Sequence, residues 1–349
     1  MCTIAAYIGT ERAAPILIDM MRKLEGLDSG FYTGIATMHN GKIYCAKVAG
    51  DLERLLAATD AASLPGSIGF IHSRTPAKVK SDFAGVAHPF TAERDGEIRE
   101  ALIMNGCDGF FKGKADVPAI VRSLEQKGYE FKSTHPTVGI TLKGDGNFVH
   151  GTDVRCQLTS SKIAEGMDAA FALQEAVSQI PSESVALLLS DSEPDAICFA
   201  RQVMSMNLAF CDHGAYMSTA SLAFPEDAGS PTLLPSMSCG KVYKDRFECA
   251  PIVDPGATVA PITPQVTAAA YRHIESRLQT PTPFTELGWE EVLAELYPDA
   301  DCTQRATVAY QAVSELERQG RLKMETRYVE GQTSELKAPV FLLSLRDKD

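Results

Sequence analysis

The 349-residue sequence lacks the features that mark membrane, secreted and nucleic-acid-binding proteins. It has no apolar stretch long enough to span a bilayer, and no charged N-terminal region followed by an apolar run. It has no basic block, and its formal net charge of −12 argues against a nucleic-acid-binding surface. The sequence therefore predicts a cytoplasmic protein whose partners are neither membranes nor nucleic acids.

Motifs that bind cofactors and metals are also missing. The sequence contains no GxGxxG motif and no P-loop, and its nine cysteines form no CxxC pair and no Cys/His cluster with ligand spacing. We therefore expect neither a cofactor nor a metal. Eight of the cysteines are typical of reduced cytosolic thiols. Cys2 differs from them because it directly follows the initiator methionine.

Strand patterns and hairpin signals occupy much of the first 250 residues. Residues 2–8 are apolar and rich in β-branched side chains, as in a buried strand, and an Asn-Gly turn at Asn40 joins two further strand-like runs. Helical patterns are grouped between sets of strands and do not alternate with single strands. This arrangement predicts an α+β layered architecture and argues against a Rossmann fold.

A proline-rich segment, residues 251–264, predicts a linker between two domains, residues 2–250 and 265–349. The second domain contains three helical patterns and a closing strand pair, the outline of a small winged-helix-like module. Acidic residues outnumber basic ones in it, whereas a DNA-binding helix needs the opposite balance. We expect an interaction or dimerisation module, with a homodimer as one outcome.

The order of motifs over residues 2–210 resembles that of class II glutamine amidotransferases. MCTIAAYIG is followed by GSIGFIHSR, AHPF, IMNG, KGYEF and GTD, as in the glutaminase part of the glucosamine-6-phosphate synthases. The resemblance implies a four-layer αββα N-terminal-nucleophile hydrolase that converts glutamine into glutamate and ammonia. Residues 265–349 are too few for a sugar-phosphate synthase domain, so we expect ammonia to reach a separate acceptor protein or water.

Cys2 matches the position of the family's nucleophile. Removal of Met1 would leave a thiol and a free α-amine on one residue, and an α-amine titrates at about 8, so it is partly neutral in cells. The amine could then accept the thiol proton through a water. Retention of Met1 would acylate the amine and remove this base. The alternative is a cysteine that only packs in a strand.

Four further residues match family site positions. Asn105 and Gly106, in IMNG, match the oxyanion site, and Arg74, in IHSR, matches the arginine that pairs with the substrate carboxylate. Asp153, in GTD, matches the carboxylate that holds the substrate ammonium. From the residues alone, Asn105-Gly106 also fits a simple turn, Arg74 a surface arginine and Asp153 a helix N-cap.

The sequence departs from the family pattern after Arg74. The family reads Trp-Ala-Thr-His-Gly there, whereas this chain has Thr75-Pro76-Ala77-Lys78-Val79, and it also carries an insertion around Gly144. Thr75 is assigned to the substrate pocket, but it is too small to replace a tryptophan. The resemblance implies glutamine as the substrate, and this departure leaves a related small amide as the alternative.

Two alternatives to a glutamine amidotransferase follow from this departure and from the second domain. One is an amidohydrolase that acts on another amide. The other is a non-enzymatic amino-acid sensor whose C-terminal module passes the signal to a partner. His72, His88 and His135 have no carboxylate or thiolate at ligand spacing, so we interpret them as structural histidines.

Overall fold

The computed structural model describes residues 2–76, 82–107, 111, 113–139, 141–252, 257–288, 290–330 and 336–346. Within these ranges the chain forms two large antiparallel sheets, helices that cover them and a smaller C-terminal part. None of the helices in this part of the chain has the length and apolar character that a membrane crossing requires.

The first sheet contains seven strands, numbered along the chain. They are β1 Thr3–Gly9, β2 Tyr32–His39, β3 Lys42–Ala49, β4 Ile68–Arg74, β11 Asn207–Cys211, β12 Gly214–Ser218 and β13 Thr232–Leu233. Their order is β13-β11-β12-β1-β4-β2-β3, and every neighbouring pair is antiparallel. β1 is therefore a central strand, hydrogen-bonded on both sides.

The second sheet contains six strands. They are β5 Phe90–Arg94, β6 Glu97–Cys107, β9 Glu183–Ser190, β10 Ile197–Arg201, β14 Ser238–Val242 and β15 Phe247–Pro251, in the order β15-β14-β10-β9-β6-β5. A separate short hairpin pairs β7 Thr141–Leu142 with β8 Phe148–Val149, at the insertion around Gly144.

The sequence of β1 explains why the sheets pack on both faces. Ile4 and Ala6 belong to the hydrophobic core between the two sheets, whereas Ala5 and Tyr7 belong to the core on the opposite face. Successive side chains of a strand point to opposite faces, so an unbroken apolar run buries both faces. Helix α1, Ala13–Asp28, covers the outer face of this sheet.

Helices α4, Gly151–Ala164, and α5, Ala169–Gln179, cover the outer face of the second sheet through a core of their own. The shorter helices α2, Leu52–Ala58, and α3, Val117–Gln126, lie in connections. The described residues thus form a mixed α/β architecture with antiparallel sheets, layered as helix, sheet, sheet and helix.

The C-terminal module runs from α6 to β18. Its elements are α6 Pro264–Arg277, β16 Thr282–Pro283, α7 Glu290–Leu296, α8 Arg305–Arg318, β17 Leu322–Glu330 and β18 Lys337–Leu345. The strands form a sheet in the order β16-β18-β17. The expected three helices and closing hairpin are present. The winged-helix assignment and the domain boundaries stay predictions.

The C-terminal module packs directly on the first sheet's helix layer. Apolar side chains of α1 and α8, such as Leu17 and Val313, belong to one continuous hydrophobic cluster. Phe341 of β18 lies over Gly26 of α1, where a Cβ atom would overlap the phenylalanine ring. Glycine at position 26 therefore permits the close approach of the module.

The segment predicted as a linker is held in place where the structure describes it. The backbone N–H of Ala260 donates to the carbonyl of Cys302 over 2.8 Å, and the N–H of Cys302 donates to the carbonyl of Thr258 over 3.1 Å. Ala260 is buried. Residues 258–260 thus run alongside the segment that precedes α8.

We predict that Gly26→Ala destabilises the protein although alanine is the better helix former by about 1 kcal/mol. The new methyl group must displace the Phe341 ring, and overpacking costs about 1–3 kcal/mol. Chemical denaturation measures the loss. Gly144→Ala is the control, because a Cβ atom at that position would have no other atom within 4 Å. Equal stabilities of the two variants would contradict the proposed close contact.

Candidate active site

Cys2 lies immediately before β1, at one end of the space between the two sheets. The register pairs Thr3 with Ser73 and Ile4 with His72, so the next antiparallel position sets Cys2 against Arg74. Because side chains alternate along a strand, Cys2 shares the inner face of the sheet with Ile4. The two central strands β1 and β4 therefore bring the thiol next to the residues of the IHSR motif.

Residues of the second sheet meet Cys2 from the opposite side. The amide nitrogen Nδ2 of Asn105, on β6, donates to the backbone carbonyl of Cys2 over 2.7 Å and approaches the Thr219 hydroxyl at 3.3 Å. Its Oδ1 is buried and has no hydrogen-bond partner among the described residues. The asparagine amide thus lies beside Cys2, where it links the second sheet to the backbone of Cys2.

Gly106 follows Asn105 and has a backbone φ of +142°. A side chain at this position would overlap the carbonyl oxygen of Glu183 and would lie 2.8 Å from the Cα of Ser184. Only glycine fits without strain. The IMNG motif is therefore the end of strand β6, and its glycine lets the strand lie close to β9.

The thiol of Cys2 is unusually acidic. Burial alone would raise its pKa, but the adjacent His72 side chain and the charges of the chain's N-terminus and of Arg74 together lower the pKa to about 6. The Sγ atom also lies 3.8 Å from the hydroxyl of Thr75. Because the thiolate is the nucleophilic form, this environment favours a reactive cysteine at neutral pH.

His72 is fully buried and has one ring nitrogen for the thiol. Its Nε2 lies 3.2 Å from the backbone carbonyl of Met104, and a carbonyl only accepts, so Nε2 carries the proton. In the neutral ring Nδ1 is then an acceptor. Nδ1 is buried and has no hydrogen bond of ordinary geometry within the described ranges. Sequence reasoning treated His72 as structural because its proximity to Cys2 arises only from strand pairing.

His72 belongs to a row of buried histidines. Its ring lies against that of His88 at a centroid distance of 3.9 Å and a tilt of 38°, and His88 lies edge-on to His150 at 5.4 Å. Burial lowers the pKa values of His88 and His150 well below the ordinary value, so both rings are neutral. His135 lies elsewhere, and its Nδ1 accepts the backbone N–H of Thr137 over 3.1 Å, a turn-forming bond.

Arg74 is half-buried beside Cys2. Its Nη1 donates to the carbonyl of Val86 over 3.3 Å, and its guanidinium lies over the ring of Tyr32 at 5.4 Å. Burial lowers the pKa of Arg74, and the charge of Cys2 raises it. The side chain thus contributes positive charge near the thiol while part of its donor capacity is used by the protein.

Asp153 is held by hydrogen bonds to its own neighbours. It lies in the first turn of α4, fully buried, and accepts hydrogen bonds from the Ser133 N–H at 2.9 Å, the Ser133 hydroxyl at 2.7 Å and Gln157 Nε2 at 3.1 Å. Burial raises its pKa despite these bonds. The helix N-cap is His150, whose Nδ1 accepts the Thr152 N–H. The alternative interpretation of Asp153 as the N-cap is therefore wrong.

A cavity of about 300 Å³ opens onto Cys2 between the sheets and the C-terminal module. The residues from the sheets and their loops are Cys2, Thr75, Gly106, Glu183, Val203 and Met204. The residues from the C-terminal part are Cys302, Gln304, Arg305 and Ala306. Lys78 lies outside the described residues. No signal in the sequence indicated that the segment before α8 shares a cavity with Cys2.

Arg201, at the end of β10, connects the two walls of this cavity. The guanidinium is fully buried, donates through Nε to the Met204 carbonyl at 2.6 Å and donates through Nη2 to Gln304 Oε1 at 3.0 Å. It also donates to the carbonyl of Leu234 and lies 3.5 Å from the Thr307 hydroxyl. Burial lowers the pKa of Arg201 to about 9. These bonds fix the start of α8 against the loop after β10.

One group in the described part of the chain offers metal-ligand atoms, those of Cys211, His213 and Asp227, within 4.8 Å of one another. Both ring nitrogens of His213 already have partners. Nδ1 lies 2.8 Å from the Tyr7 hydroxyl, and Nε2 lies 2.8 Å from Asp227. The geometry is that of a hydrogen-bonded network, and nothing in it calls for an ion.

Comparison with known proteins agrees with the resemblance of the motifs. Over 212 residues the chain is 27% identical to glutamine–fructose-6-phosphate aminotransferase [isomerizing] of Thermosynechococcus vestitus, which covers 60% of this chain and 30% of the relative. Over 140 residues it is 31% identical to the protein of the same name from Pyrococcus horikoshii, covering 36% and 23%. No family model matches the chain.

The fold agrees with these relatives. A glutamine phosphoribosylpyrophosphate amidotransferase from B. subtilis, complexed with ADP and GMP, superposes with a TM-score of 0.56 over 93% of this chain and 66% of that one, at 13% identity. The relatives in sequence and this neighbour in fold support the resemblance to class II glutamine amidotransferases. The chain spans less than a third of the length of the two curated relatives. The nucleophile and oxyanion assignments within this family stay predictions for this chain.

We predict that His72→Asn and His72→Gln slow alkylation of Cys2 at pH 7 by roughly tenfold or more, because the thiol returns toward an ordinary pKa of about 8.5. A thiol with a pKa of about 6 is mostly thiolate at pH 7, and its reactivity falls only as the pH drops through 6. Rates of iodoacetamide labelling from pH 5 to 9, with peptide mapping of Cys2, measure the shift.

His39→Asn is the matched control, since His39 is exposed at the far end of β2. It should leave the midpoint of the labelling profile unchanged. A midpoint near 6 in both His72 variants would show that the imidazole does not set the acidity of Cys2.

Proposed function

We propose that this chain hydrolyses the side-chain amide of glutamine through Cys2 and releases ammonia. The observation that carries the proposal is an acidic thiol, with a pKa of about 6, at the mouth of a cavity on a class II amidotransferase fold. Relatives named glutamine–fructose-6-phosphate aminotransferase support glutamine as the nitrogen donor. The acceptor of the ammonia is proposed to be a separate protein or water.

The proposed reaction begins when the Cys2 thiol gives up its proton. Nδ1 of His72 is the acceptor that the strand register provides, and the α-amine of Cys2 is a second acceptor wherever Met1 has been removed. The thiolate then attacks the amide carbon, and a C–S bond forms as the carbonyl becomes an oxyanion. The acceptor that holds the proton returns it to the departing nitrogen, and the C–N bond breaks to release ammonia.

Water completes the cycle by attack on the resulting thioester. The C–S bond breaks, glutamate leaves, and the thiol regains a proton. Asn105 and Gly106 are the proposed oxyanion donors, because the Asn105 amide lies 2.7 Å from the Cys2 carbonyl and is thus next to the reacting sulfur. Neutral hydrogen-bond donors suit this role because the negative charge on the oxygen develops only during the reaction.

The proposed roles of the remaining motif residues follow their surroundings. Arg74 supplies positive charge beside the thiol and remains the proposed partner of the substrate carboxylate. Thr75, with its hydroxyl 3.8 Å from Sγ, is proposed to contact the amide. Asp153 accepts three hydrogen bonds from Ser133 and Gln157 and remains the proposed partner of the substrate ammonium.

A second candidate function is hydrolysis of a different amide. The small Thr75 lies directly at the nucleophile, where the family has a tryptophan, so the cavity beside the thiol is less filled. Rates with glutamine, asparagine and simple acyl amides separate the two candidates. A clear preference for glutamine would eliminate the second.

We predict that Cys2→Ala abolishes the release of glutamate and ammonia from glutamine, whereas Cys249→Ala does not change it, since Cys249 is exposed and remote from the cavity. Steady-state assays of both products measure the effect. Intact mass determines in the same samples whether Met1 is present. Full activity of Cys2→Ala would eliminate the mechanism, and activity in protein that retains Met1 would assign the proton transfer to His72.

A further inference from the structure

We propose that strand β17 of the C-terminal module pairs edge to edge with β17 of a second copy of this chain, so that the two copies form a twofold dimer. The two modules would then share one continuous sheet, in the order β16-β18-β17-β17-β18-β16. This proposal goes beyond the hydrolysis of glutamine and does not rest on it.

The first step of the argument is the edge that β17 presents. In the order β16-β18-β17, its one neighbouring strand within the described residues is β18, which pairs with it from Leu322 to Glu330. Alternate residues of an antiparallel strand direct their N–H and C=O groups to opposite sides, so half of these groups in β17 point away from β18. A long exposed edge of this kind is a template for pairing with another chain.

The second step is the character of the side chains on this edge. Every residue from Glu325 to Glu330 is exposed. Tyr328, 58% exposed, and Val329, 41% exposed, are two of the five large apolar side chains that lie on the surface of the described chain. The strand contains no glycine or proline, the residues that interrupt an edge. The edge is therefore long, regular and partly apolar, as pairing requires.

The third step is charge complementarity, which selects a second copy as the partner. Thr326 is the middle residue of β17, and a twofold axis beside it would pair the whole strand with an identical one. Glu325 of each copy would then lie opposite Arg327 of the other, and opposite charges at such positions attract. On the other face of the sheet, Met324 of each copy would lie opposite Tyr328 of the other, an apolar contact.

Other registers are less favourable for the same strand. With the axis at Glu325, Lys323 would lie opposite Arg327, and like charges directly opposite are destabilising. With the axis at Met324, the residues from Arg327 to Glu330 would stay unpaired. Glu325 lies 2.8 Å from Lys323 of its own strand, but both side chains are about half exposed, so this pair is weak and leaves the carboxylate accessible.

The pairing strand is firmly attached to the rest of the protein. Thr326 lies opposite Phe341 in the ladder between β17 and β18, and Phe341 packs on Gly26 of α1. The twofold axis would therefore lie close to the contact between the module and the helix layer of the first sheet. The proposed dimer joins two complete subunits through these modules.

The first test measures the mass of the full-length protein in solution by light scattering and its dimer dissociation constant by sedimentation. The parent should have twice the mass of the 37.7 kDa chain. Arg327→Glu and Glu325→Arg each place like charges opposite one another at both pairs, so each should raise the dissociation constant roughly tenfold or more. The double variant Glu325→Arg/Arg327→Glu exchanges the two charges and should restore the dimer.

The second test is a cross-link that reports the register. The axis sets residue 326 of one copy opposite residue 326 of the other, so mild oxidation should join two copies of Thr326→Cys at this position, as peptide mapping determines. Val329→Cys is the matched control, because Val329 lies on the same exposed edge but would face Lys323 of the other copy. It should form no cross-link at position 329.

The outcomes separate self-pairing from a merely exposed strand. A parent protein that stays monomeric, or a dimer that Arg327→Glu leaves intact, would overturn the proposal. A dimer that is lost in both single variants but does not return in the double variant would also overturn it, since the two charges would then contact different groups. All the substituted side chains are exposed, so these variants are expected to fold, and thermal unfolding checks this.

Discussion

The central position of β1 is the constraint on which the rest of this structure depends. Because β4 and β12 hydrogen-bond to its two edges, the strand cannot shift its register without breaking both ladders. The residue before it, Cys2, inherits that fixed position. Its carbonyl is bound by Asn105 from the second sheet, so both sheets hold the backbone of Cys2.

Burial of the Cys2 thiol disfavours its charged form, and the histidines in the row beside it differ in their surroundings. Burial disfavours the thiolate of Cys2, and the cationic form of an adjacent imidazole offsets this only if that ring can take a proton. Burial and the charges around His88 and His150 keep those two rings neutral. His72 stands at the end of this row, and its side chain helps to lower the pKa of the Cys2 thiol.

The sequence was most informative where chemistry is local. The apolar run of β1, the hairpin around Gly144 and the ordered IHSR and IMNG motifs predicted strands that the structure contains. The sequence alone does not show which strands pair, so His72 was interpreted as structural. Arg305 and Glu183 lie far apart in sequence, and no local pattern indicates that folding places both on one cavity.

The contact between Gly26 and Phe341 has a consequence for how such chains can diversify. The C-terminal module and α1 share one hydrophobic cluster, and the ring of Phe341 occupies the space that a side chain at position 26 would need. The module therefore cannot be exchanged independently of α1. In related chains that keep the module, a larger residue at the position of Gly26 should be accompanied by a smaller one at that of Phe341. Exchange of the module alone would leave a poorly packed contact between it and α1.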